Sequence, residues 1–199
     1  IHDIEADGTP IPQVGPRKIL GFGVSPVSLG FGSNMRYKNL SLSFLIEGKN
    51  GGQMFSGTNA LAKYFGAHKA TIDADGRENG FTVSGVDANG SAFTTTIAPD
   101  RIEDYWRRTY QIAEEAIYDS NYLRLRQVSL GYRIPGDVLE NTFISSARVS
   151  LIGRNLFLLS NSVENVDPES GYNVSNSQGL EWFGMPVPRS LGLNVNLKF

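Results

Sequence analysis

The chain has 199 residues, enough for one domain with a sizeable core, and 40% of them are hydrophobic. A formal net charge of −2 argues against a nucleic-acid footprint, and the absence of cysteine excludes a disulfide framework and thiol-based metal or redox sites. The mean hydropathy of −0.21 would suit a soluble globular protein, yet a strand that alternates apolar and polar residues hides its apolar face in such an average.

No apolar run approaches the roughly 20 residues a membrane helix needs. The chain opens on Ile1-His2-Asp3-Ile4 with no basic leader region, so a piece of a longer protein is expected. Twenty-two glycines and nine prolines lean towards β structure with many turns. Gly21-x-Gly23 and Gly30-x-Gly32 precede strands rather than a helix, so a dinucleotide-binding reading fails for lack of context.

In chain order, the first predicted strand covers about 26–37. Val27, Leu29, Phe31, Met35 and Tyr37 alternate with Ser28, Gly30, Gly32, Asn34 and Arg36. Lys38-Asn39 reads as a tight turn, and Leu40, Leu42, Phe44 and Ile46 carry a second strand over about 40–48. A long connection follows. Within it, Thr58–Phe65 is a weak helix, 71–97 a polar hairpin turning at Asn89-Gly90, and Asp100–Tyr118 a better helix.

A third strand is predicted over 121–134, a fourth over 147–159 and a fifth over 188–199. In the last, Leu191, Leu193, Val195, Leu197 and Phe199 share one parity, and Gly192, Asn194, Asn196 and Lys198 the other. That run has the ~9–11 residues of a tilted membrane strand. Short connections (38–39, 135–146) alternate strictly with long ones (49–120, 160–187), as in outer-membrane barrels with short periplasmic turns and long extracellular loops. Tyr37, Tyr132 and Phe199 then fall near the periplasmic rim, where an aromatic girdle belongs. One stretch is out of phase. On a regular strand Arg124 and Arg126 would face lipid. Either a bulge flips the register, or these residues stand above the membrane and pack against loops, and the second is favoured.

Three segments carry a family resemblance. Ser120-Asn121-Tyr122-Leu123-Arg124-Leu125-Arg126-Gln127-Val128-Ser129-Leu130-Gly131-Tyr132-Arg133-Ile134-Pro135 resembles the late-barrel signature of SusC/RagA-type TonB-linked outer-membrane proteins. So do Gly153-Arg154-Asn155-Leu156-Phe157 followed by Asp167-Pro168-Glu169, and Pro188-Arg189-Ser190 running into the final strand. The match is specific over 117–199, looser over 19–52, and lacking in 53–116. The resemblance implies an all-β fold: 1–199 would be the C-terminal part of a transmembrane antiparallel barrel of about 22 strands, with long extracellular loops carrying a short helix and the plug domain outside this chain. It implies an outer-membrane importer of glycans or peptides. Its partners would be a SusD-like surface lipoprotein, TonB acting through the missing N-terminal part, the outer-membrane insertion machinery and the lipid bilayer, with no nucleic acid, cofactor or enzymatic activity.

The rival from the residues alone is a secreted β-sandwich that binds carbohydrate. There the apolar parities of all strands would meet in a shared interior. Loop aromatics Tyr105, Trp106, Tyr110, Trp182 and Phe183 are candidate substrate contacts, since aromatic faces stack on sugars and on peptide side chains. Their plainer role is packing the loops together. Asp167, Pro168 and Glu169 are expected to form a structural turn closing a loop, and Phe199 an assembly signal. Asp73 and Asp75 are weak calcium candidates, because Gly76 comes two positions too early for an EF-hand. His2 and His68 lack companions at ligand spacing and read as loop residues.

Overall fold

The computed structural model describes residues 3–12, 16, 18–72, 76–87, 89–172 and 178–199. In chain order its elements are β1 (Val27–Tyr37), β2 (Leu40–Asn50), β3 (Gln53–Ser56), α1 (Gly57–Tyr64), the single turn α2 (Gly76–Asn79), β4 (Phe81–Val86), β5 (Ala92–Ile97), α3 (Ile102–Thr109), β6 (Ile117–Asp119), β7 (Tyr122–Arg133), β8 (Ser146–Asn161), β9 (Leu180–Glu181) and β10 (Ser190–Lys198). They fall into two units. Among the described residues, no helix is long and apolar enough to cross a membrane.

One unit comprises residues 24–52, 119–170 and 185–199. It is a five-stranded sheet in the order β1-β2-β7-β8-β10, antiparallel throughout. Its register follows from period-two alternation, since directly opposed residues point to the same side. Met35 lies opposite Leu42, Leu42 opposite Leu130, Leu130 opposite Leu151, and Leu151 opposite Leu193. One apolar row therefore crosses all five strands. A second row joins Tyr37, Leu40, Tyr132, Val149 and Val195. The other side carries Asn34, Ser43, Ser129 and Ile152, and beyond them Ser41, Gly131, Ser150 and Asn194. The apolar side is open: Phe31, Leu151 and Leu193 are each 60% exposed or more.

The out-of-phase arginines are explained by a bulge, which corrects the favoured expectation. Leu45 pairs with Gln127 and Ile46 with Leu125, so Arg126 is an extra residue on β7 with no counterpart on β2. The inserted residue keeps Leu123 and Leu125 on the apolar side and puts Arg124 opposite Glu47 on the polar side. Arg124 also packs against a loop, as the favoured alternative required, but the register change is what sends it there.

The other unit comprises residues 1–23, 53–118 and 171–184. Its short sheet has the order β6-β3-β9, with β3 and β9 parallel. A separate β4–β5 hairpin and helices α1 and α3 complete it. Ile97, Met54, Ala60, Ile102 and Ala116 form its buried core. The helix expected over 100–118 is shorter, since α3 stops at Thr109. Thr109 Oγ1 bonds back to the Tyr105 carbonyl, and Ile112 turns to extended geometry. The hairpin expected over 71–97 begins only at Phe81, and its loop is 87–91 rather than a two-residue Asn-Gly turn. The Asp87 carboxylate accepts the Asn89 and Ser91 amides, closing a wider loop.

Candidate functional site

The three recognised segments meet at one place. Strand β7 presents Tyr122, Arg124 and Arg126 on the polar side, and the loop after β8 brings Asp167 and Glu169 to them. Arg124 Nη2 donates to Asp167 Oδ1 at 2.7 Å, and its Nε stands 3.0 Å from Glu169 Oε2, a charge contact without hydrogen-bond alignment. Arg126 is shared three ways: Nη2 to Glu169 Oε1 at 2.7 Å, Nε to Glu47 Oε2 at 2.6 Å, and Nη1 to Asn155 Oδ1 at 2.9 Å. The Tyr122 hydroxyl donates to Glu169 Oε1 at 2.9 Å.

Asn155, from the Gly-Arg-Asn-Leu-Phe segment, holds a left-handed φ of 52°, which asparagine tolerates better than most residues. That kink lets its amide donate to the Pro188 carbonyl at 3.0 Å. Arg189, the next residue, lies 5.4 Å over the Phe157 ring. Within the Asp-Pro-Glu turn, Asp167 Oδ1 accepts the Glu169 amide and Oδ2 the Val187 amide. Burial pushes the Asp167 carboxyl up, but hydrogen bonds from Arg124 and from these two amides outweigh it and hold it below its ordinary value.

Arg124 is almost fully buried, with a side chain only 4% exposed. A charge so placed needs partners, and the two arginines face three carboxylates. All three carboxylates are engaged by guanidinium groups, so the arrangement offers a fastening rather than a free acid or base. It ties Asp167 and Glu169, in the segment that follows β8, to β2, β7 and β8.

The loop aromatics separate into three groups within the other unit. Tyr105 and Trp106 pack on Phe81 at 4.8 and 6.0 Å. Tyr110 meets Tyr64 at 5.3 Å. Trp182 and Phe183 are pinned by the buried carboxylate of Glu181, which accepts from Ser56 Oγ at 2.7 Å and Thr58 Oγ1 at 2.6 Å beside the start of α1. Trp182 lies against Gly57, where a Cβ would stand 1.9 Å from the ring. Only Trp106 lines the cleft of about 350 Å³, between α1 and α3, that also holds Tyr64, Phe65, Arg77, Glu103 and Arg107. Asp73 and Asp75 lie outside the described residues, as does His2. His68 is buried and caps the turn at Lys69.

Sequence reasoning missed Glu47, Asn155 and Glu181 as anchors. The one available signal was the phase break at Arg124 and Arg126, which marked charges in need of distant partners.

The five-stranded sheet is thus apolar on one open side and polar on the other, with Asp167 and Glu169 held to it by ion pairs. No protein-family model matches the chain. It is 27% identical over 201 residues to TonB-dependent receptor P3 of Formosa agariphila, covering 98% of this chain and 18% of that receptor. It is 27% identical over 206 residues to TonB-dependent receptor P26 of the same organism, covering 19% of it. Among solved structures, that of the RagAB peptide transporter matches with a TM-score of 0.61 at 17% identity over 99% of this chain, and the closed-closed RagAB peptide importer with 0.62 at 20%. The chain is thus a relative, along its whole length, of one portion of the TonB-dependent receptors, as its motifs implied. It spans about a fifth of the length of the proteins it matches.

Proposed function

We propose that the chain forms part of the lipid-facing wall and outer vestibule of a TonB-dependent outer-membrane importer that takes up glycans or peptides. The observation that carries this reading is the apolar side of the five-stranded sheet, continuous from Phe31 to Leu193 and exposed. In water such a face would drive association, whereas against acyl chains it needs no cover. The polar side, with Ser129, Ser150 and Asn194, faces the barrel interior. The edge strands β1 and β10 pair with further strands of the complete barrel, because five strands cannot close around a channel.

In the full receptor the loops 49–120 and 160–187 stand on the outer surface beneath a SusD-like lipoprotein. Substrate captured there meets Tyr105, Trp106, Tyr110, Trp182 and Phe183, and TonB draws the plug to open a path. The Arg124–Asp167 and Arg126–Glu169 pairs keep the 162–187 loop fixed while the plug moves. Phe199 serves as the assembly signal read by the insertion machinery. Its ring stacks on Phe143 at 5.5 Å, close to the short 135–145 turn. RagAB, by its name, carries peptides. The β-sandwich alternative needs the apolar parities to share an interior, which the exposure of Leu151 and Leu193 argues against.

The test is fractionation of cells expressing the full-length receptor. It should sediment with the outer membrane, and uptake of its substrate should stop when the inner membrane is de-energised. Recovery of the protein in the soluble fraction without detergent would refute the reading.

A further inference from the structure

The cleft between α1 and α3 combines an open aromatic ring with a cation held by neutral groups. Phe65, just after α1, is 75% exposed and lines the cleft, and Trp106 lines it from α3. Arg77, on the turn α2, donates through Nε to the Thr71 carbonyl at 3.3 Å, and through Nη2 to Thr71 Oγ1 at 3.0 Å and to the Gly66 carbonyl. These bonds fix the guanidinium without cancelling its charge. Among the described residues, Arg77 forms no ion pair. Arg107 differs, since it pairs with Glu103 one turn earlier on α3 and lies 5.7 Å over the Tyr64 ring. Two arginines against one glutamate leave the lining with an excess of positive charge.

We propose that this cleft is a subsite for an acidic sugar, a ring that carries a carboxylate or a sulfate. The inference rests on the importer reading above and narrows its cargo to acidic glycans. The apolar face of the sugar ring lies on Phe65. The acidic group takes charge-assisted hydrogen bonds from Arg77 Nη1, which none of the anchoring bonds uses. The Glu103–Arg107 pair sets acceptors beside donors, and sugar hydroxyls need both. An acidic peptide would offer the same charge, but extended peptides are held largely by backbone pairing along a strand edge. The lining of this cleft comes from α1, α2, α3 and the turns beside them, with no strand. Its volume of about 350 Å³ is at the low end for small-molecule sites and suits a ring or two.

The test is saturation-transfer NMR on the purified full-length receptor in detergent. The probes are an oligouronate, a sulfated oligosaccharide, a neutral oligosaccharide of equal length and an acidic peptide. The expected result is strong transfer to the ring protons of one of the two acidic sugars, which identifies the acidic group, and weaker transfer to the other classes. Arg77→Gln should weaken that binding about tenfold or more, the weight of a lost hydrogen bond to a charged group, and Arg77→Lys should recover part of it. Phe65→Ala should weaken it too, and because Phe65 is exposed this variant does not depend on how Arg77 holds its turn. Arg101→Gln, which removes a cation paired with Asp7 outside the lining, should leave binding unchanged. Acidic-sugar binding that survives both Phe65→Ala and Arg77→Gln, or that falls equally in Arg101→Gln, would overturn the subsite. So would no binding, or equal or stronger binding of the neutral sugar or the peptide, and each of these leaves the membrane reading intact. A receptor recovered in the soluble fraction without detergent would instead strike at the importer reading.

Discussion

At the scale of single residues, the fastening at Arg124 and Arg126 is where substitutions should cost most. Glu169 takes the Tyr122 hydroxyl and Arg126 Nη2 on one oxygen and stands beside Arg124 Nε with the other. Glu169→Ala leaves two mostly buried guanidinium groups short of a counter-charge, and breaking a buried pair from one side costs about 3–5 kcal/mol. The expected outcome is early proteolytic cutting in 162–187 and a lower Tm of the purified receptor. Asp7 pairs with Arg101 at 2.9 Å, but both are exposed, so Asp7→Asn should change stability by no more than about 0.5 kcal/mol. Equal effects of the two substitutions would contradict this account of the junction.

The acid response of the junction has a definite sign. The Asp167 carboxyl is held below the ordinary value of about 3.9, so its contribution is complete above that pH and is lost as pH falls through the lower folded value. Protease resistance of 162–187 should therefore be flat from about pH 5 to 8 and decline only below about pH 4. A loss centred near pH 6 would point to another group.

At the scale of elements, the pairing with β2 is the decisive feature of β7. Deleting Arg126 removes the extra residue and leaves Leu125 opposite Ile46 and Arg124 opposite Glu47, so the ladder with β2 becomes regular and 122–125 keep their sides. Deleting Leu125 together with Arg126 instead brings Arg124 opposite Ile46 on the apolar side and Leu123 opposite Glu47 on the polar side. Outer-membrane abundance should largely survive the single deletion and collapse with the double one. Similar abundance for the two variants would show that the pairing with β2 does not set which side these residues face.

Much of the sheet was legible in the sequence because period two needs only local alternation, and Leu191 to Phe199 supply it without interruption. The bulge was legible only as one of two alternatives, since one extra residue leaves the alternation intact on both sides of it and shows only as a change of phase, which a stretch packed against loops above the membrane would show as well. The carboxylates that meet Arg124 and Arg126 lie 43 residues or more away along the chain, and no local pattern links such distant positions. Strands β3, β6 and β9 have two to four residues, too few to display a period. The loop aromatics were visible as residue types, but their division among Phe81, Tyr64 and the Glu181 anchor depends on tertiary contacts.

At the scale of the whole molecule, the central claim is that one side of the sheet meets lipid and the other the barrel interior. Arginine replacements give a first measure. Val195→Arg should cost about 2–4 kcal/mol near the membrane midplane, and Asn194→Arg much less. The most direct measurement places single spin labels at positions 193 to 197 of the full-length receptor in lipid bilayers and compares relaxation by oxygen, which partitions into acyl chains, with relaxation by a water-soluble nickel complex. The account predicts strict alternation, with 193, 195 and 197 accessible to oxygen and 194 and 196 to nickel. Labels at 193, 195 and 197 that are shielded from both reagents would place that side in a protein interior and contradict the membrane reading.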